Sequence, residues 1–134
     1  MPNLYVEIVA PDRNVFRGEA SAIRMPGTEG SFQVLPNHAP LLGVLGVGPM
    51  FVDTAAGERV AFATAGGFVQ VLNNRVIVLA ESAEPVSEID VERARAAEER
   101  ARERLQSTSG GDREAAERDL ERARNRLRTA MASV

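Results

Sequence analysis

The sequence predicts an α+β chain in which an all-β body, residues 1–86, precedes an antiparallel α-helical hairpin, residues 87–134. Three observations predict it. Up to Ala80 the apolar residues are β-branched or aromatic and come in short runs broken by glycine, proline and asparagine, the pattern of strands and turns. Beyond Glu84-Pro85-Val86-Ser87 they recur at spacings of three and four, the pattern of helices. Charge changes at the same place: residues 1–87 carry five arginines and eight carboxylates, residues 88–134 eleven of each.

Leu4-Tyr5-Val6-Glu7-Ile8-Val9 reads as a first strand, stopped by Ala10-Pro11-Asp12 because proline lacks a ladder donor and aspartate favours turns. A second strand is expected over Val15 to Met25. Gly43 to Pro49 reads as a strand and turn, since it lacks the lysine and hydroxyl of a phosphate loop. Val60 to Ala65, Phe68 to Leu72 and Arg75 to Ala80 form a predicted three-stranded meander, with Gly66-Gly67 and Asn73-Asn74 as its turns. Glycine and asparagine tolerate the positive φ of tight hairpins. Both faces of the last strand are apolar (Val76 and Val78; Ile77 and Leu79), so it is expected to be buried on both sides, as in a sandwich or flattened barrel.

Pro85 disfavours helix before it and Ser87 is a candidate cap for a helix from Glu88. Ala94, Ala97, Ala101 and Leu105 mark the inner face of that helix. After the breaker Ser107-Thr108-Ser109-Gly110-Gly111, the residues Ala116, Leu120, Ala123, Leu127 and Ala130 mark the second, with Asp112 its expected cap. Each helix should run about 19 residues. An alanine seam buries little area, at ~25 cal/mol per Å2, so the hairpin is expected to rearrange easily.

Composition is that of a soluble globular protein, 44% hydrophobic and 26% charged, which excludes disordered and fibrous classes. The absence of cysteine excludes a disulfide framework, thiol catalysis and cysteine-held zinc, and a cytosolic setting is expected. The first ten residues lack the basic patch and apolar run of a signal peptide. No stretch reaches the ~18 apolar residues that span a bilayer, so direct membrane insertion is not expected. A net charge of −3 argues against general nucleic-acid binding.

Arg118, Arg122 and Arg126 stand four apart on the second predicted helix, a spacing that costs roughly 0.2–0.5 kcal/mol per like-charged pair. One explanation is a solvated, salt-bridged helix, with Glu114 pairing Arg118, Asp119 pairing Arg122 and Glu121 pairing Arg124. The other is an anionic ligand, because guanidinium groups bind phosphate in bidentate geometry and stay charged. Arg93 and Arg100, seven apart on the first helix, suit the same cleft. Catalytic sites and a metal site are not expected. His38 is the sole histidine and lies in a loop between prolines, Asn37-His38-Ala39-Pro40; no serine, histidine and carboxylate cluster exists; and Glu98-Glu99 lies on a solvated helix.

The stretches Gly30-Ser31-Phe32-Gln33-Val34-Leu35-Pro36-Asn37-His38-Ala39-Pro40-Leu41, Gly66-Gly67-Phe68-Val69-Gln70-Val71, Val76-Ile77-Val78-Leu79-Ala80-Glu81 and Ile89-Asp90-Val91-Glu92-Arg93-Ala94 closely resemble the epsilon subunit of bacterial F-type ATP synthase. The resemblance covers essentially the whole chain. It implies a flattened sandwich of about ten strands followed by the hairpin, in a non-catalytic rotor subunit on the cytoplasmic face of the bacterial plasma membrane. Its implied partners are the gamma subunit, the c-ring and the alpha and beta catalytic subunits. The hairpin of such a subunit extends along gamma to inhibit ATP hydrolysis or folds down on the body.

Some members bind ATP as a regulatory ligand in the folded-down state, through an Ile-Asp-x-x-Arg-Ala motif and arginines on the second helix; no cofactor is obligatory. Ile89, Asp90, Arg93 and Ala94 match that motif, and Glu84, Arg100, Arg122 and Arg126 fall at the family's contact positions. The resemblance also puts Glu29 and His38 in loops facing the c-ring. A purely structural rotor coupler, whose arginines pair only with acidic partner surfaces, is the alternative.

Overall fold

The computed structural model describes residues 3–107 and 110–132, without the Ala132 side chain. Six strands appear, β1 (Leu4–Ala10), β2 (Arg13–Gly27), β3 (Gly30–Val34), β4 (Leu41–Thr54), β5 (Arg59–Leu72) and β6 (Arg75–Pro85). A single 3-10 turn, Val86–Glu88, leads to α1 (Val91–Ser107) and α2 (Gly111–Ala132). Thr108 and Ser109 of the expected breaker lie outside the described residues.

The sheet runs β1-β6-β5-β4-β2-β3, and β1 also pairs β2, closing a flattened barrel. Closure turns on Ala20: residues before it on β2 pair antiparallel with β1, residues after it pair with β4 and β3. The expectation of about ten strands is therefore corrected to six. β2, β4 and β5 are 15, 14 and 14 residues long, and each carries on through a bend instead of ending there.

Asn73 and Asn74 form the β5–β6 turn at φ 51° and 62°, as the sequence reading required. Gly66-Gly67 does not reverse the chain. β5 passes through it at φ 71° and 134°, its register with β4 kept on both sides (Val47↔Ala65, Leu45↔Gly67). A straight strand would send Phe62 and Val69 to opposite faces, yet both enter the core, because the glycine pair rotates the strand between its two halves. A Cβ on Gly67 would run into the Leu79 carbonyl. The expected turn after Gly43 is likewise absent, since β4 continues to Thr54.

Leu4, Val6, Ile8, Ile23, Met25, Met50, Val52, Phe62, Val76 and Val78 form the centre of the core, each at most 1% exposed, and such side chains contribute roughly 1.5–3 kcal/mol apiece. Phe16 packs edge-on against Phe62, ring centroids 6.0 Å apart. The outer face of β6 is a correction. Ile77 is half-buried and Leu79 is 54% exposed, because no layer covers that side of the barrel.

The hairpin seam is apolar where expected: Ala94, Ala101, Ala116, Leu120, Ala123 and Ala130 are buried, while Ala97, Leu105 and Leu127 are half-buried. Its caps differ. Ser87 lies inside the 3-10 turn, and Asp90 caps α1, its Oδ1 accepting the Arg93 amide at 3.1 Å. Asp112 sits within the first turn of α2 and Gly110, at φ 69°, precedes the helix. The hairpin is docked. α2 lies on β4 and β5, and Ala63 and Ala65, of opposite parity to Phe62 on β5, are buried beside it.

Candidate functional site

The turn after β6 places α1 beside the body. Ile89 donates its amide to the Val86 carbonyl at 3.0 Å, ending the 3-10 turn, and Asp90 starts the helix. Arg13, the first residue of β2, holds Glu88 through two hydrogen bonds of 3.0 and 3.4 Å. That hydrogen bond, and then the charge of Glu88, raise the Arg13 pKa.

A cleft of about 400 Å3 opens between this turn and the two helices, lined by Glu84, Asp90, Arg93, Ala94, Arg100 and Arg126, with Glu88 and Ala97. Six of the eight residues expected at a nucleotide site thus share one wall. Arg122 lines an adjoining cleft of about 300 Å3, which shares Ala97, Arg100 and Arg126 with the first and also holds Arg104 and Asp119. Ile89 is half-buried and lines neither. Volumes of this order suit a small-molecule ligand.

The double cleft mixes both signs, with arginines in excess: Glu88, Asp90 and Arg93 stand around the start of α1, Glu84 of β6 meets Arg126, and Arg100, Arg104 and Arg122 stand with Asp119 towards the helix interface. Among the described residues, Arg93 and Arg100 have no carboxylate partner. Arg126 Nε contacts Glu84 Oε1 at 2.8 Å, and Arg122 reaches Glu81 only at 3.9 Å.

The within-helix pairing of the stripe does not form. Asp119 binds Arg104 across the hairpin at 2.8 Å instead of Arg122, and Arg124 turns to Glu98 at 3.7 Å instead of Glu121. Arg118 has no ion pair among the described residues. The cross-element pairs win because the two helices and β6 bring opposite charges as near as the helix spacing does, and at 2.8 Å nearer.

Glu29 is exposed in the β2–β3 turn, level with Val44, whose carbonyl accepts the neighbouring Thr28 amide at 3.1 Å. His38 sits by the Asn73–Asn74 turn, its Nδ1 2.7 Å from the Ala39 carbonyl oxygen. The two loops lie at different levels of the barrel, separated by the stretch of β4 between Leu41 and Val44.

Asn125 was not anticipated. It is 2% exposed, and its Nδ2 donates to the Gly48 and Thr64 carbonyls, each at 3.2 Å. A polar residue within the Leu120, Ala123, Leu127 stripe, four before Thr129, was the available signal.

Residues 3–86 match the family ATP synthase, Delta/Epsilon chain, beta-sandwich domain, and residues 87–131 match ATP synthase, Delta/Epsilon chain, long alpha-helix domain. The chain is similar to the ATP synthase epsilon chain of Salinibacter ruber, 51% identical over 111 residues, 77% of this chain and 74% of that one. It is 42% identical to the ATP synthase epsilon chain of Halalkalibacterium halodurans over 132 residues, 97% of this chain and 98% of that one. Among solved structures it resembles a chain of the Euglena gracilis mitochondrial ATP synthase, OSCP/F1/c-ring in rotational state 1. The TM-score is 0.86 at 27% identity, covering 98% of this chain and 83% of that chain.

Proposed function

The chain belongs to the ATP synthase Delta/Epsilon chain family, and from that premise we propose that it is a non-catalytic rotor subunit whose docked hairpin is held by ATP. The body couples gamma to the c-ring at the cytoplasmic face of the membrane, without inserting into it. Released from the body, the hairpin reaches the alpha and beta subunits and inhibits ATP hydrolysis.

One observation carries the nucleotide reading. Arg93 and Arg100 on α1, without carboxylate partners among the described residues, share a cleft with Arg126 on α2, and Arg122 lines its continuation. Such a cluster attracts a polyanion, since each guanidinium offers charge-assisted hydrogen bonds to phosphate oxygens. Glu88 and Asp90, beside the start of α1, suit hydrogen-bond donors on a base or ribose, and Asp90 keeps one oxygen in the α1 cap. Because both helices supply arginines, separating them destroys the site.

The body offers a face for gamma. Val44, Phe68 and Leu79 are cross-strand neighbours, 52%, 63% and 54% exposed, and Leu42 beside them is 81% exposed. A contiguous exposed apolar row of this kind suits burial against a partner. Glu29 and His38 stand in exposed loops suited to the c-ring.

Calorimetric titration of the isolated chain with ATP, with and without magnesium, tests the nucleotide reading. Saturable one-site binding is expected. No heat at millimolar ATP leaves the second reading, a structural coupler, which the existing Arg126–Glu84 and Arg104–Asp119 pairs favour.

A further inference from the structure

Alanine methyls make up most of the buried hairpin seam, and α2 faces Ala63 and Ala65 of β5 around a shared hollow. Small apolar contacts of this kind discriminate weakly between helix positions, because dispersion and burial are non-directional. A helix shifted by one residue moves 1.5 Å and turns 100°, which is enough to carry an arginine out of a cleft. Something directional has to fix α2 on the body.

Asn125 supplies that contact from a buried position, beside the wetter Arg126–Glu84 pair. Gly48 and Thr64 are cross-strand partners on β4 and β5, and both of their carbonyls accept from the one Asn125 amide at 3.2 Å. The remaining Oδ1 accepts the Thr129 hydroxyl at 3.3 Å, one turn on along α2. Asn125 and Thr129 are 2% and 0% exposed. The amide thus has its two donor hydrogens and its oxygen engaged: the bonds to the Gly48 and Thr64 carbonyls hold for only one placement of α2 on the body, while the Thr129 bond, internal to the helix, fixes which way the amide points. A buried polar group left unsatisfied is costly, which is what makes such a network select one arrangement.

Asn125 follows Arg122 by three and precedes Arg126 by one, so fixing it fixes both. We infer that Asn125 is a positioning residue of the cleft: it touches no ligand, and by locking α2 onto the Gly48–Thr64 strand pair it holds Arg122 and Arg126 where a polyphosphate is bound. This rests on the nucleotide reading above for the ligand, and on the hydrogen-bond network alone for the helix position.

The test uses the full chain with cysteines introduced at the exposed Ala56→Cys and Glu121→Cys positions. The protein has no cysteine of its own, so spin labels attach only there. Pulsed electron resonance reads the body-to-α2 distance, and calorimetry with ATP reads affinity on the same samples. The parent should give one narrow distance. Asn125→Leu, alike in branching though bulkier and unable to donate, should broaden and lengthen it without ATP, weaken ATP binding about tenfold through the lowered docked fraction, and return to the narrow distance at saturating ATP. Thr129→Val should do the same more weakly, about two- to fivefold, and serves if Asn125→Leu fails to fold by thermal melting. A narrow parental distance in both variants without ATP overturns the inference, whatever their affinity. Weakened binding with that distance unchanged places Asn125 in direct contact with the ligand. A parent chain that binds no ATP overturns the nucleotide reading, while the distances still decide whether Asn125 sets the helix.

Discussion

Arg126 on α2 reaches across to Glu84 near the end of β6, Nε to Oε1 at 2.8 Å, so one guanidinium both straps the hairpin to the body and lines the cleft. Roughly 40% of each side chain is exposed (41% and 36%), and an ion pair this wet contributes little by itself, at most about 1 kcal/mol. A phosphate arriving in the cleft therefore competes with Glu84 on cheap terms. Arg122→Ala and Arg126→Ala should each weaken ATP binding by roughly 1–3 kcal/mol, the worth of a charge-assisted hydrogen bond. Unchanged calorimetric affinity in the double variant would return the arginine stripe to a structural role.

The cleft was legible because arginine spacing on a helix is a local property: Arg122 and Arg126 stand four apart wherever the helix lies. The clamp was not. Asn125 bonds carbonyls 77 and 61 residues away, and backbone acceptors leave no mark in a side-chain pattern. The strands show the same division. Asn73-Asn74 and Gly66-Gly67 carry one signal, tolerance of positive φ, and only the tertiary path decides that the first pair reverses the chain while the second rotates a strand that continues. Leu79 was expected inside because apolar alternation does not say which layer is absent from a single chain. The Asp90 cap was obscured by Ser87, an equally good capping residue that the 3-10 turn after Pro85 withdraws from use.

Thr64 supplies a stability test independent of any ligand. It is 0% exposed and its Oγ1 has no hydrogen-bond partner among the described residues, a defect costing roughly 1–3 kcal/mol. Thr64→Val keeps the shape, the β-branched strand preference and the carbonyl that Asn125 uses. It should leave the chain as stable as the parent or raise its stability by about 1 kcal/mol, measured by denaturant melts. A loss of that size would mean the hydroxyl is satisfied in solution.

On the outer face, Phe68 is flanked by Val44 and Leu79 on the adjoining strands. Phe68→Glu places a charge in the middle of the exposed row at no cost to the core, so the isolated chain should melt as the parent does. Affinity for a gamma-containing rotor should fall at least about tenfold, as expected on charging the centre of an apolar contact. Equal co-purification of the variant and the parent would move the gamma interface elsewhere.

Arg59 governs a small acid-side effect. Its hydrogen bonds to Asp53, of 2.8 and 3.2 Å, lower the Asp53 pKa from its ordinary 3.8, against a smaller opposing effect of burial. A depressed carboxylate pKa contributes stability that is complete above the ordinary value and lost as pH falls through the folded one. Arg59→Gln removes the contribution at neutral pH, so the stability gap between parent and variant should be constant from pH 7 to about 5 and close below about 4. A gap that widens in acid would reverse the sign of the coupling.

Truncation after Ser87 tests which part of the molecule holds the other. The core of Leu4, Val6, Ile8, Ile23, Met50, Phe62 and Val78 comes wholly from β1 to β6, and the barrel closes without help from either helix. What α2 meets there is small: Ala63 and Ala65, plus the carbonyls of Gly48 and Thr64, which water can take over. Exposing a few methyls costs about 1–2 kcal/mol at 25 cal/mol per Å2, small against a whole core. Residues 1–87 should therefore keep one cooperative thermal transition at a modestly lower temperature. A dye-binding, uncooperative globule would make the hairpin part of the core. Assembled into the synthase, the same truncation removes the element proposed to block hydrolysis, so ATP hydrolysis should rise and synthesis should suffer less. An assembled enzyme that hydrolyses ATP no faster after truncation, with other inhibitors absent, would leave the hairpin a strap on the body and no brake.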